Sequence, residues 1–364
     1  MITQLEVKNF RCFTDATLDL ERLTVLVGPN GAGKSSLVDA LKFLRDALLG
    51  GLPAALAPRG GIDAVRYRGD AADGEEVSLR VTFTLGELTG NYSFTLGGER
   101  GGNYHVKEES GSVAREGRDP IWYTRKPGEV PPTALMLRFY ASGEPDLRQA
   151  YEFLTNLSFY NISPDALRPL QSPTNPAPLE DDGNNLYGVL QDLKQTYPRD
   201  AAALEAALAR ILGDVQGYQV YPAGGYLITE LNHSDPQASS TSTFPLKLES
   251  DGTLRVLGIL AACYQRPPRP LLVLEEPELT VHPDALSRLW EEIQTASEHS
   301  QVILTTHSPD LLDMCTAEQL RVVEKTPGTS RVGPVDAEQQ QIIKKRLLSA
   351  GQLFRGQGLY RDEG

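Results

Sequence analysis

The first residues, ITQLEVKNF, alternate apolar and polar positions, and ATLDLE does so again after a turn expected at Thr14-Asp15. That period of two predicts a pair of strands. The next run, Leu23 to Val27, is continuously apolar, the pattern of a strand buried on both faces, and Gly28-Pro29-Asn30-Gly31-Ala32-Gly33 breaks it. From Lys34 the period changes: Leu37, Leu41 and Leu44 recur at helical spacing. Strand, glycine-rich loop and helix therefore follow one another directly, with the first two strands expected beside the loop strand.

Farther along, Gly50 to Gly61 is rich in Gly, Pro and Ala and reads as a linker. VSLRVTFTL, NYSFTLG and NYHVKEE are short, β-rich and separated by glycine turns, which predicts antiparallel meanders. Residues 134–140 (ALMLRFY) predict another strand, whereas LRQAYEFL, YGVLQDL and AALEAALARIL carry helical periodicity. The run from Ser172 to Asn185 reads as a loop, residues 216–231 and 243–248 as strands around a polar loop, NHSDPQASSTS. LRVLGILAACY predicts a helix, Leu271 to Leu274 and Gln301 to Leu304 predict buried strands, and AEQQQIIKKRLLSAG predicts a C-terminal helix. There is no internal repeat, heptad pattern or low-complexity tract.

Composition narrows the class. The chain has 364 residues, 40% hydrophobic, enough for a proper core with an insertion or a second lobe. Its formal net charge of −13 gives a mean field that repels nucleic acid, so any such contact needs a local basic patch or a partner. RPPRP and the KKR of the last helix are the obvious basic clusters, and each also reads as solvated surface. Cys12, Cys263 and Cys315 lie far apart and the five histidines are scattered, which suggests neither a disulfide framework nor a zinc site. The longest apolar run is too short to span a bilayer and the first residues are no signal peptide, so a cytoplasmic protein is expected.

The loop between strand and helix fits G-x-x-x-x-G-K-[ST] from Gly28 to Ser35. Glycines let backbone N–H groups turn inward toward phosphate oxygens, and the helix N-terminus behind them carries partial positive charge. Lys34 supplies a cation for the β- and γ-phosphates, and Ser35 a hydroxyl for Mg²⁺. Glu275 and Glu276 end the strand run from Leu271. At the carboxyl ends of parallel strands, where α/β sheets bind ligands, one acid can hold Mg²⁺ and the next can orient or deprotonate water. A solvated acidic turn is the alternative for the tetrapeptide in isolation. His307 ends the strand from Gln301 and is a candidate γ-phosphate sensor; a lone histidine is otherwise more often structural. Ser250, Asp251 and Gly252 open a helix, where they can bind an anion or simply cap it.

The order GPNGAGKSS, SDGT opening a helix, LLVLEEPE, TTHS resembles the ATPase head of the ABC superfamily, and the ITQLEVKNFRCF opening its RecF/SMC-type branch. More narrowly, the chain resembles small stand-alone bacterial ATPases related to the ATPase half of the overcoming-lysogenization-defect (OLD) proteins. The resemblance implies an α/β fold: an ABC-type P-loop ATPase head, with a mixed core sheet, flanking helices and an antiparallel β subdomain, carrying a compact inserted lobe. Expected segments are 1–85, the first half of the head; 86–215, the lobe; 216–325, the second half; and 326–364, a helix and tail.

Carried residue by residue, the resemblance implies that Gly28, Asn30, Gly31, Ala32, Gly33, Lys34, Ser35 and Ser36 bind ATP. Ser35 and Glu275 would hold Mg²⁺, Glu276 would be catalytic and His307 the switch histidine. Ser250, Asp251 and Gly252 would touch ATP bound by a second head, and Arg11 matches a family arginine near the nucleotide. Glu275 stands where most relatives have aspartate, and His282 where many ABC heads have a dimer-contacting aspartate. Gln149 and Gln171 are both candidates for the glutamine loop. The stretch after His307 is too short for the nuclease domain of OLD proteins, so an ATPase without its own nuclease is expected. The expected function is an ATP-gated, homodimerising head coupled to DNA handling in repair or phage defence. The alternative is a regulatory ATPase subunit controlling a separate effector protein without touching DNA. A transporter motor fits the NFR opening poorly, and no membrane partner is expected.

Overall fold

The computed structural model describes residues 1–69, 76–99, 101, 103–126, 131–173, 178–235 and 240–362. The chain divides into two compact units: Met1–Leu157 with Thr316–Leu348 and Gly356–Gly364, and Ser158–Cys315 with Ser349–Arg355. This division differs from the segments expected above, since the stretch 86–215 is shared between the units.

The first unit begins with β1 (Ile2–Phe10), β2 (Phe13–Asp19), β3 (Leu23–Val27) and α1 (Lys34–Gly50). It continues through α2 (Leu52–Leu56), α3 (Ile62–Val65), β4 (Val77–Leu85), β5 (Leu88–Gly97), β6 (His105–Arg115), β7 (Ile121–Thr124), α4 (Leu137–Gly143) and α5 (Pro145–Thr155). An antiparallel sheet runs in the order β2-β1-β4-β5-β6-β7. Alternation places Val77, Leu79, Val81 and Phe83 of β4 inward and Ser78, Arg80, Thr82 and Thr84 outward. β1 and β2 pair with each other around Arg11 and Cys12, not Thr14-Asp15, and they belong to this sheet instead of flanking β3.

The second unit holds β8 (Ser158–Tyr160), α6 (Pro164–Leu167), α7 (Leu186–Thr196), α8 (Pro198–Leu212), β9 (Val215–Ala223), β10 (Tyr226–Asp235) and β11 (Ser240–Pro245). Then come α9 (Asp251–Tyr264), β12 (Leu271–Glu275), α10 (Pro283–Ser297), β13 (Gln301–Thr306) and α11 (Pro309–Leu312). β12 lies parallel to both β13 and β8, with Leu271–Leu274 and Val302–Leu304 buried, and β9-β10-β11 form an antiparallel meander. β14 (Leu320–Thr326) and β15 (Thr329–Pro334) return to the first unit, where β14 runs parallel to β3, and α12 (Ala337–Lys344) and α13 (Ala350–Gly356) close the chain.

Four further expectations are corrected. The stretch read as a linker folds as α2, a 3-10 turn at Ala57–Arg59 and α3. Leu52 and Leu56 sit one turn apart and are buried, and Pro53 fits a first turn that needs no N–H. The polar loop is mostly strand: Asn232 to Asp235 lie in β10 and Ser240 to Ser242 in β11, while the tip, 236–239, lies outside the described residues. The C-terminal helix is two helices, broken where Arg346 takes a φ of 54°.

The fourth is ALMLRFY, expected as a strand and found as α4. Its fate is decided by Glu109, 1% exposed on β6. That carboxylate accepts N–H bonds from Met136 (2.7 Å) and Leu137 (3.0 Å) and hydroxyls from Tyr92 and Tyr123 (both 3.1 Å). It therefore caps the start of α4 from outside the helix. Burial pushes the Glu109 carboxyl above its ordinary pKa against these four donors, which hold it down. Among the described residues no helix is long and apolar enough to cross a membrane.

Glu109→Ala strips four buried donors of their acceptor, and each unsatisfied group costs about 1–3 kcal/mol before relaxation. We expect a loss of about 2–4 kcal/mol in urea unfolding, seen as a lower midpoint with the slope unchanged. Glu109→Gln, which keeps an acceptor oxygen, should lose clearly less.

Candidate functional site

In the first unit the loop from Gly28 to Ser36 is shaped by what presses on it. A Cβ on Gly28 would lie 2.1 Å from the Val323 carbonyl oxygen of β14, so only glycine lets the strands approach. Gly33, with φ 117°, would place a Cβ 2.7 Å from Cys12 Sγ and 2.9 Å from the Phe13 ring. The β1–β2 turn is thus wedged beneath the loop, a contact no local pattern announces. Gly31 takes the left-handed φ of 75° with open space around it, as a loop meeting a ligand requires.

Lys34 is 6% exposed, and its Nζ donates to the carbonyls of Gly28 (2.7 Å) and Pro29 (3.2 Å). Ala32 is buried, Ser36 half-buried, and Asn30, Gly31 and Ser35 are exposed. Gly33 is the N-cap of α1 and offers no side-chain acceptor, so the first-turn N–H groups keep their anion-binding capacity. Arg11, at φ 53°, donates through Nε (2.8 Å) and Nη2 (2.6 Å) to Asp39 on α1. Asp39 also takes Arg59 (2.8 Å), and Arg59 reaches Asp46 (3.0 Å), which pairs with Arg45 (2.8 Å). Arg11 therefore ends a line of alternating charges laid along the loop helix.

In the second unit Glu275 ends β12 opposite Thr305 of β13. Glu276 follows in the left-handed region, φ 45°, with its N–H held by the Thr305 carbonyl at 2.9 Å. Such a conformation is costly for a non-glycine residue and persists only where the surroundings enforce it. It directs the Glu276 carboxylate to His307 Nδ1 at 3.1 Å. His307 and Glu276 are thus brought together, both partly open to solvent, with side chains 40% and 31% exposed.

Sequence reading missed Glu278 and Arg255. Glu278 Oε1 accepts the Thr306 hydroxyl (2.5 Å) and lies 3.4 Å from the His307 N–H, so it braces the strand end that carries the histidine. The signal was a third acid in LEEPE. Arg255, on α9, is 7% exposed; burial lowers its pKa, and the charges of Glu278, Glu276 and Asp251 oppose that fall. Its signal was a cation among Leu254, Val256, Leu257 and Ile259.

The residues opening α9 are engaged within their own unit. Ser250 Oγ accepts the Thr253 N–H at 3.1 Å, a helix cap. Asp251 pairs with Arg168, and a Cβ on Gly252 would lie 2.5 Å from the Thr280 carbonyl oxygen. His282 caps α10 through Nδ1, 3.3 Å from the Asp284 N–H. Gln149 accepts from Arg115 at 3.2 Å and Gln171 from the Tyr187 N–H at 2.8 Å.

The strand–loop–helix at β3, the parallel acidic strand and the antiparallel sheet define an ABC-type P-loop ATPase head. A solved SMC head bound to the C-winged-helix domain of ScpA shares this fold: TM-score 0.60 at 15% identity, covering 93% of this chain and 99% of that one. The chain belongs to the family described as "AAA domain, putative AbiEii toxin, Type IV TA system", matched over residues 23–313. It is 27% identical over 358 residues to the OLD nuclease of Thermus scotoductus, covering 89% of this chain and 62% of that protein. A shorter match, 41% over 68 residues, links it to the DNA repair protein RecN of Bacillus subtilis, covering 18% of this chain and 10% of RecN. The chain thus spans less than two thirds of these relatives. Family and fold together place it among AAA-type P-loop domains with the fold of an SMC head.

Just ahead of Ser250, Glu249 accepts from His233 Nε2 at 2.9 Å, while His233 Nδ1 meets Asp214 at 3.1 Å. Partial burial lowers the imidazole pKa, but the two carboxylates outweigh it and hold it above its ordinary 6.5. A raised histidine pKa contributes stability that is complete below that ordinary value and lost as pH rises through the raised one. Urea midpoints should therefore fall more between about pH 6 and about pH 9 in the parent than in His233→Gln. Parallel curves would place the clamp outside the folding equilibrium.

Proposed function

We propose that this chain binds and hydrolyses ATP with Mg²⁺, and that two copies close over two nucleotides and open on hydrolysis. The observation that carries the reading is Glu276, held at a φ of 45° directly after an acidic strand end and bonded to His307 at 3.1 Å. Strain of this kind is retained where it orients a reacting group. The N–H groups from Gly28 to Ser36 and the Lys34 ammonium bind the β- and γ-phosphates. The Ser35 hydroxyl and the Glu275 carboxylate are hard oxygen donors suited to Mg²⁺, and they would hold it. When bound, the ion neutralises charge developing on the phosphate oxygens. Glu276 takes a proton from the water that attacks the γ-phosphorus; the bond from that phosphorus to the β,γ-bridging oxygen breaks, leaving ADP and phosphate. His307 bonds the Glu276 carboxylate and would act as the switch histidine.

Coupling to DNA in repair or phage defence is the first reading of what the closure does, supported by the likeness to OLD and RecN proteins. A net charge of −13 favours the second, in which the ATP state holds or releases an effector protein. Direct DNA contact would be electrostatic and weaken steeply with salt. Turnover stimulated by DNA at low salt supports the first reading, and no stimulation in any nucleotide state the second.

Glu276→Gln should keep ATP affinity, lose turnover by about 100-fold or more and accumulate with ATP as a dimer in size-exclusion chromatography with light scattering. Adding Ser250→Arg should abolish that dimer. Ser250→Ala, which loses the same cap at about 1 kcal/mol, is the control and should not. Normal turnover in Glu276→Gln would overturn the catalytic assignment, and an inactive protein without ATP-dependent assembly the two-headed one.

A further inference from the structure

We infer that the β14–β15 hairpin braces both ends of the phosphate loop, with Thr329 as a positioning residue for nucleotide binding; the inference rests on the ATP-binding reading above. The first end is held directly. Val323 of β14 sets its carbonyl oxygen against Gly28 with no room for a Cβ, and the neighbouring Val322 pairs with Val27, the last residue of β3. The second end is held through the β1–β2 turn. Gly33 packs on Cys12 Sγ and the Phe13 ring, again with no room for a Cβ, and Phe13 is fully buried. What fixes those two side chains is the far strand of the hairpin.

The Cys12 carbonyl accepts the Ser330 N–H at 2.9 Å, and Thr329 Oγ1 accepts the Thr14 N–H at 3.1 Å. Those are the peptide groups on either side of Phe13, so β15 pins the turn at both of them. The Thr329 hydroxyl also lies 3.3 Å from the Cys12 carbonyl, 3.2 Å from the Ser330 carbonyl and 3.1 Å from Thr14 Oγ1, which gives its own hydrogen an acceptor. The hairpin holds Thr329 in turn: Thr326 pairs with it in register and donates its hydroxyl to the Thr329 carbonyl at 3.0 Å. Gly28 and Gly33 are the first and last residues of the glycine-rich loop. A hairpin that bears on both sets the spacing of the N–H groups between them before an anion arrives. β14 and β15 lie beyond residues 23–313, so the brace comes from a segment outside the family match.

The test uses the full chain with Thr329→Val, which keeps the shape and loses the hydroxyl, and Thr329→Ser, which keeps the hydroxyl. Cys12→Ala removes Sγ from beside Gly33 and leaves the backbone bonds of the turn. In calorimetry with the non-hydrolysable analogue AMP-PNP and Mg²⁺, Thr329→Val should bind about 5- to 10-fold more weakly, the scale of one net hydrogen bond. Thr329→Ser should stay within about twofold of the parent and Cys12→Ala should lose about threefold, with the double Thr329→Val/Cys12→Ala losing less than the product. In ATP turnover the Thr329→Val loss should fall on KM, with kcat within about threefold, a split that general destabilisation would not produce. Independently of nucleotide, alkylation of Cys12 by N-ethylmaleimide, read by peptide mass spectrometry, should be about threefold or more faster in Thr329→Val than in the parent or Thr329→Ser. Burial raises the thiol pKa of Cys263 and Cys315, which makes them slow internal references. Parent-like affinity in Thr329→Val, a loss that Thr329→Ser shares, or an unchanged Cys12 rate would overturn the proposal. Should Thr329→Val fail to fold, Cys12→Ala decides, and parent-like affinity there overturns it. A parent that binds no AMP-PNP removes the ATP-binding reading together with this one; a parent that binds while the variants bind equally well removes this one alone.

Discussion

The first unit depends on burying one ammonium. Lys34 is 6% exposed, and a cation that deep must be ringed by oxygen. The carbonyls of Gly28 and Pro29 supply part of that ring, which requires the chain to leave β3 and fold back within six residues. Folding back so tightly brings Gly28 against the Val323 carbonyl and Gly33 against Cys12 and Phe13. The order of β14 beside β3, and the wedge of the β1–β2 turn under the loop, follow from room that only glycine leaves. A loop clamped on both sides is preorganised, and N–H groups fixed before an anion arrives need no ordering when it does.

The second unit solves a different problem, holding like-charged acids close together against their mutual repulsion. Glu275, Glu276 and Glu278 lie within four residues, and separation is achieved by backbone. β12 ends in register with Thr305, Glu276 turns left-handed toward His307, and Glu278 folds under to Thr306. The carboxylates of Glu276 and Glu278 face different partners, His307 and Thr306. The parallel pairing of β12 with β13 supplies those partners, since both strand ends arrive at one level.

How much of this was legible depends on how local each cause is. β3, its loop and α1 could be read because a continuous apolar run, a glycine break and a 3.6-residue period occupy adjacent residues. β12, β13 and α9 were equally plain. ALMLRFY was not: a short apolar run is compatible with strand or helix, and the choice is made by Glu109, more than twenty residues earlier on β6. Gly50 to Gly61 looked like a linker because its composition hides two leucines at helical spacing and Arg59, whose partners lie on α1. Glu276 and His307 were readable as strand-end residues. Glu278 was not, because its contacts with Thr306 and the His307 N–H are made only by the fold.

Ser250 and Gly252 show why a motif residue can serve packing and chemistry together. Ser250 Oγ accepts the Thr253 N–H and also meets Thr253 Oγ1 at 2.9 Å, while the first N–H groups of α9 are donors, and donors are what a phosphate needs. Capping also fixes the hydroxyl in one place, which would suit the nucleotide contact proposed for it. Gly252 adds the converse. Its missing Cβ lets the helix start touch the Thr280 carbonyl, and the same absence keeps that surface low enough for a ligand to approach. The features that fold α9 are thus the same atoms that the proposed contact with a second nucleotide would use.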